Sequence, residues 1–162
     1  MGKPMDAATS AMKNIRHINI DYHFLIEEYG FELVEVLSSP SFGGEERAIF
    51  KAEHVYVKIV LEREQYAFYF SNTMALQRGE WYDWDIVKQY IDGNKSYTMM
   101  SIEESLGELY DRDKQLEKAR VTIHEIKSYF PEVLKCFSMS DWRDVEKFFR
   151  KLENQRAKSR YG

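Results

Sequence analysis

The sequence predicts an α+β fold, on three observations. Apolar residues recur at helical spacing before residue 30 and again after residue 100. Between them, short segments rich in Val, Ile, Phe and Tyr alternate apolar with polar residues. The connections between these segments are too short for parallel crossovers, which need roughly a dozen residues or more. The expected architecture is an N-terminal helix, a four-stranded antiparallel β-meander, a short helix, and a C-terminal helical pair or bundle. With 162 residues and no Pro- or Ser-rich linker, the chain reads as a single domain over 1–162. Within it, 20–100 is the α/β-meander core, 101–155 the C-terminal helical part, and 156–162 a frayed basic tail.

The leading helical segment runs over 6–29, with Met12, Ile15, Ile18, Tyr22, Leu25 and Tyr29 on one face. Asn19 or Asp21 can cap a second helix there, which places a joint near 17–21. Gly30 ends it, because glycine takes the left-handed conformation that closes a helix, and Phe31 supplies the apolar contact beyond the cap. Strands follow over 31–37 (FELVEVL), 47–53 (RAIFKAE), 55–63 (VYVKIVLER) and 66–70 (YAFYF), with Val55, Val57, Ile59 and Leu61 on one side of the third. The first connection, 38–46, holds Pro40, Gly43 and Gly44, and His54 marks the second turn. A loop over 72–80 leads to a helix over 84–91, capped by Asp83 and ended by Asp92, Gly93 and Asn94. Residues 97–100 read as a short edge strand or a packed linker.

Ser101 and Glu104 fit a capping box. Ile102, Leu106, Leu109, Leu116, Ala119, Ile123, Ile126 and Phe130 then follow heptad-like spacing, broken at Asp113. That pattern reads as one long helix or as two joined near 111–113. Pro131 either kinks the helix or starts another. Ser138 and Ser140 compete to cap a last helix whose apolar positions are Trp142, Val145, Phe148, Phe149 and Leu152.

Composition excludes several classes. The single cysteine, Cys136, rules out an internal disulfide framework and a Cys-rich zinc site. An apolar content of 44% argues against disorder of the whole chain. No apolar run approaches the ~20 residues of a membrane span. The first residues lack an apolar signal core, and Asp6 stands where a myristoylation signal has Ser or Thr, so a cytoplasmic location is expected.

No catalytic, cofactor-binding or metal-binding residue is assigned. His17, His23, His54 and His124 are scattered; His23 and Glu27 share a helix face, but no HExxH pattern exists. Cys136 lies in an apolar stretch and reads as structural. Residues 42–46 (FGGEE) have glycines but no lysine and two carboxylates, so they read as a hairpin loop rather than a phosphate cradle. The pairs Glu27/Glu28, Glu45/Glu46, Glu103/Glu104 and Asp83/Asp85 read as surface charge. The last stretch carries Arg143, Lys147, Arg150, Lys151, Arg156, Lys158 and Arg160 against Asp141, Asp144, Glu146 and Glu153. In a chain of net charge −4, this reads as a solvated face rather than a nucleic-acid site.

The most unusual segment is 80–85 (EWYDWD). Aromatic residues beside carboxylates suit an interface with a basic partner, and Trp81, Tyr82, Asp83 and Asp85 are the candidate partner-binding residues. The opposing reading has Trp81 and Trp84 anchoring the short helix. The second face of the sheet, with Tyr56, Val60, Tyr69 and, depending on register, Val34 and Val36, is partly apolar. The long C-terminal helices are the first expectation for its cover, and a partner the second.

Three stretches carry a resemblance: 24–35 (FLIEEYGFELVE), 55–60 (VYVKIV) with 66–70 (YAFYF), and 80–87 (EWYDWDIV). Together they resemble small bacterial proteins, some of them immunity-type proteins of toxin systems, over about residues 21–91. The resemblance implies a non-enzymatic protein-binding module, an immunity or antitoxin-type protein that neutralises a partner by occluding its site. The partner expected from the acidic–aromatic segment is another protein, such as a basic toxin or nuclease domain. Two alternatives remain: a small metal-dependent hydrolase or nuclease-like enzyme using scattered carboxylates with His23 or His54, and a helical regulator or assembly subunit. In the latter, the stripe over 102–130 pairs with a second copy as a homodimer.

Overall fold

In the computed structural model, residues 15–39, 45–94 and 112–161 are described. Helix α1 (His23–Glu27) precedes β1 (Glu32–Ser39), β2 (Glu45–Ala52), β3 (Val55–Glu62) and β4 (Gln65–Asn72). Helix α2 (Thr73–Leu76), strand β5 (Tyr82–Asp83) and helix α3 (Trp84–Ile91) follow, and then two long helices, α4 (Arg112–Cys136) and α5 (Trp142–Tyr161). The sheet is antiparallel throughout, in the order β1-β2-β3-β4-β5. The fold is α+β, with five strands where four were expected.

Side-chain alternation sorts each strand into two faces. Phe50, Val57, Phe70 and Tyr82 form one inner row, and Ala48, Ile59 and Phe68 the next. Helix α4 closes this inner face with Ala119, Ile123, Ile126, Phe130 and Val133, all buried in the common core. The Phe130 ring meets Tyr29 at 4.6 Å, Phe24 at 5.5 Å and Phe31 at 5.6 Å. Helix α5 adds Trp142, Val145, Phe149 and Leu152. The described part of the heptad-like stripe, from Leu116 to Phe130, therefore packs inside the molecule. Residues 95–111, with the Ser101 box, Ile102, Leu106, Leu109 and the expected joint, lie outside the described residues, as do 1–14 and 40–44.

Several elements differ from expectation. Among the described residues of the N-terminal segment, only α1 is helical; residues 15–22 run as a strap with no regular structure. Ile18, Ile20 and Tyr22 are buried and alternate with exposed Asn19, Asp21 and His23, so this stretch follows period two rather than helical spacing. Its backbone N–H groups are satisfied by a side chain instead of by helical carbonyls. The Glu46 carboxylate accepts from the N–H groups of Arg16 (3.0 Å), His17 (2.8 Å) and Ile18 (2.8 Å). Gly30 does end the helical turn, at φ +70°, with the Phe31 N–H donating to the Leu25 carbonyl at 2.8 Å.

The loop expected over 72–80 contains α2, because Asn72 Oδ1 accepts from the Ala75 N–H at 2.9 Å and so caps a turn. Strand β5 exists because Ser71 Oγ donates to the Glu80 carbonyl at 2.8 Å, which turns the chain back alongside β4. The β3–β4 connection is a two-residue turn with Arg63 at φ 51° and Glu64 at φ 67°; such turns usually carry Asn or Gly, so no local signal marks it. Helix α4 continues through Pro131, whose exposed position leaves water to satisfy the carbonyl that the ring deprives of a donor. Ser138 Oγ donates back to the Lys135 carbonyl at 2.9 Å, closing α4 rather than opening α5. Helix α5 runs through the expected basic tail to Tyr161, held by a 2.6 Å bond from Arg156 Nη1 to Asp83 Oδ2. No helix among the described residues is long and apolar enough to cross a membrane.

Candidate partner-binding face

Strand β5 splits the candidate residues of 80–85 between different environments. Tyr82 points inward and is 1% exposed, its ring 4.9 Å from Phe149 and 5.9 Å from Trp142. Its hydroxyl donates to Glu80 Oε2 at 2.8 Å. Burial and that carboxylate hold the phenol well above its ordinary pKa, so Tyr82 is a neutral core residue. Asp83 caps α3 as expected, accepting from the Ile86 N–H at 3.1 Å, and its other oxygen takes Arg156. Asp85 accepts from Gln89 Nε2 one turn on, at 3.1 Å. Trp84 is buried and donates Nε1 to Glu125 Oε1 at 2.7 Å, while Lys88 Nζ takes Glu125 Oε2 at 2.9 Å; this pair of bonds ties α3 to α4. Trp81 alone of the four candidates presents its ring to the outer face.

The outer face is built in register. Glu35, Ile49, Lys58, Tyr69 and Asp83 lie in one row, Glu32, Lys51, Tyr56 and Ser71 in the next, and Leu37, Arg47, Val60 and Ala67 on the other side. At its centre, Lys58 Nζ stands 4.3 Å from the Trp81 ring centroid and 4.8 Å from that of Tyr69. Tyr56 meets Trp81 edge-on at 6.5 Å, and Lys51 Nζ lies 5.5 Å over Tyr56. Burial, and then the neighbouring Arg47 charge, pull the Lys58 pKa below the usual lysine value. A cation held between ring faces is attracted by their quadrupoles, and it keeps both rings upright on the sheet. Arg47 Nη2 bonds Glu45 Oε1 at 2.6 Å.

Among the described residues, the long helices do not supply the expected cover for this face. The apolar stripes of α4 and α5 are both turned to the inner side, and α5 reaches the outer row through Arg156 at Asp83. Val34 and Leu37 on edge strand β1 stay 51% and 48% exposed. The register shift between Leu33 and Glu35 pushes Val34 out of the ladder; such a bulge also blunts the edge against strand addition. Glu32, Glu35 and Glu62 rim the face and form no ion pair among the described residues. The face thus combines half-buried rings at its centre with carboxylates at its margin.

The other candidates resolve differently. His23 Nδ1 lies 3.3 Å from Asp21 Oδ1 rather than bonding Glu27, and no group of three His, Cys, Asp or Glu among the described residues is placed to hold a metal. Burial and then Glu132 push the Cys136 thiol up to about 12, which leaves it protonated. Glu46, read from sequence as surface charge, is 2% exposed. Burial works to raise its pKa, but the three backbone N–H groups and Ser38 Oγ, at 3.0 Å, outweigh it and hold the carboxyl below its ordinary range. One signal in the sequence pointed there: Glu46 stands two residues before Ala48 and four before Phe50, on the inner face of β2.

Comparison of the chain with family models, with curated proteins and with solved structures returned no match.

Proposed function

We propose that this chain is a non-catalytic protein-binding module of the immunity type, acting in the cytoplasm, which neutralises a basic protein partner by occluding its site. The docking surface in this reading is the outer face of the sheet, with Trp81 as principal anchor and Tyr56 and Tyr69 beside it. The observation that carries the reading is the Lys58-centred ring cluster on a sheet face turned away from both long helices. Large rings held rigid at partial exposure lose little entropy on binding, which is why Trp and Tyr recur at interface hot spots. The rim carboxylates Glu32, Glu35 and Glu62 would steer a basic partner to the face, while the rings would slow its release. Asp83 is occupied by Arg156 and Tyr82 is buried, so neither is a contact in this reading.

The test is capture of partners on the immobilised chain, identification by mass spectrometry, and titration of the purified pair. Trp81→Ala is expected to weaken that affinity at least tenfold with an unchanged circular dichroism spectrum. Equal affinity of Trp81→Ala and the parent chain would place the interface elsewhere.

A further inference from the structure

We propose that helix α5 carries a second binding surface, for the phosphodiester backbone of a single-stranded nucleic acid. At 3.6 residues per turn, Arg143, Lys147, Lys151 and Lys158 fall within an arc of about 80°. They form a ridge about 22 Å long, and the first three stand about 6 Å apart along the axis. All four are exposed. None forms an ion pair among the described residues, and Lys151 Nζ lies 5.9 Å from the Phe148 ring centroid.

Charge on the helix is segregated. Glu146 is spent on Arg78 and Arg150, which also takes Glu80, and Arg156 is spent on Asp83; these pairs tie α5 to residues 78–83. On the helix, Asp144 lies at one margin of the ridge and Glu146, already paired with Arg78 and Arg150, at the other. Support of the helix dipole does not account for the pattern, because Arg143 occupies the first turn, where a cation is unfavourable. General basicity does not account for it either, since the chain carries net charge −4.

The second observation is Phe148. Its ring is 40% exposed beside the ridge and is held edge-on to Tyr90 at 5.6 Å. An open ring next to a row of unneutralised cations is the pairing that single strands use: phosphates on the cations, one base on the ring. A duplex has no free base face to offer, so the ring favours the single strand. The ridge and the outer sheet face are separate surfaces, and neither reading depends on the other.

The experiment is fluorescence anisotropy of a labelled thymidine dodecamer with the full chain, at roughly 50 and 200 mM salt. Four phosphate contacts predict a slope of log affinity against log salt of roughly −3, a loss of about 50-fold across that range. The double variant Lys147→Glu with Lys151→Glu is expected to weaken binding more than tenfold and to about halve the slope. Phe148→Ala is expected to weaken it about tenfold with the slope unchanged. Circular dichroism checks that both variants are folded. The proposal is overturned by no binding at the lower salt, or by equal binding of the charge-reversed variant. Binding to phosphatidylserine vesicles without binding to the dodecamer also overturns it, as does equal affinity for a duplex unaffected by Phe148→Ala.

Discussion

Phe50, Val57, Phe70 and Tyr82 share one row on the inner face of the sheet and are almost wholly buried, whereas Lys51, Tyr56 and Trp81 on the outer face remain partly open. Both sets come from neighbouring positions of the same strands, and both are rich in rings. The difference lies in what is laid over them. Two amphipathic helices close the inner face, whereas among the described residues the outer face is held by a lysine between aromatic rings and by Arg156 of α5 at its edge. Ring content alone does not make a core; a second layer does.

The two faces should differ most at adjacent residues of β4, Tyr69 and Phe70. Phe70→Ala is expected to cost about 3–5 kcal/mol, because a fully buried ring leaves a cavity. Tyr69→Ala, one residue away on the outer face, is expected to cost less than about 1.5 kcal/mol. Chemical denaturation of the two variants checks the contrast, and equal losses would mean that the outer face is closed after all.

A smaller effect is expected at Glu46, the charged member of the inner face. Glu46→Gln keeps one acceptor and loses the charge, and is expected to cost about 1–3 kcal/mol. Amide exchange would accelerate at Arg16, His17 and Ile18 while the sheet stays protected. The folded pKa of Glu46 is depressed, so its contribution is complete above the ordinary glutamate value of about 4.3 and is lost as pH falls through the lower folded value. The gap between parent and Glu46→Gln should therefore shrink in acid and stay constant from about pH 5 upward. A gap that grew on acidification would contradict this assignment.

The smallest effect is expected at the outer centre. Lys58→Met removes two cation–ring contacts, each worth about 0.5–1 kcal/mol at an exposed site, but also relieves a partly desolvated ammonium. The net loss should stay below about 1 kcal/mol in thermal unfolding. A larger loss would make this cluster a structural staple rather than a prepared binding surface.

The elements legible in the sequence are those with a local cause. Alternation over 55–61 places Val57 and Ile59 against the core without reference to anything else, and Asp83 announces the start of α3 through its own side chain. The strap failed this test because residues 15–29 satisfy helical spacing through Ile15, Ile18, Tyr22 and Leu25, and period two through Ile18, Ile20 and Tyr22. A carboxylate 28 residues further on decided between them, by taking the Ile18 N–H at 2.8 Å. The candidate site was legible only in part. In the sequence Trp81 and Tyr82 read as equal candidates for partner binding, because β5 is too short to show an alternation; the structure sets Trp81 partly open on the outer face and Tyr82 in the core.

By itself, the sequence determined the antiparallel strands, the caps at Gly30 and Asp83 and the apolar stripes of the last helices, because each follows from backbone geometry and neighbouring side chains. Only the tertiary structure decided which face of the sheet those stripes cover, where Glu46 is spent and which way Tyr82 points. Those outcomes depend on partners many residues away, and a distant partner leaves no periodic mark on the sequence.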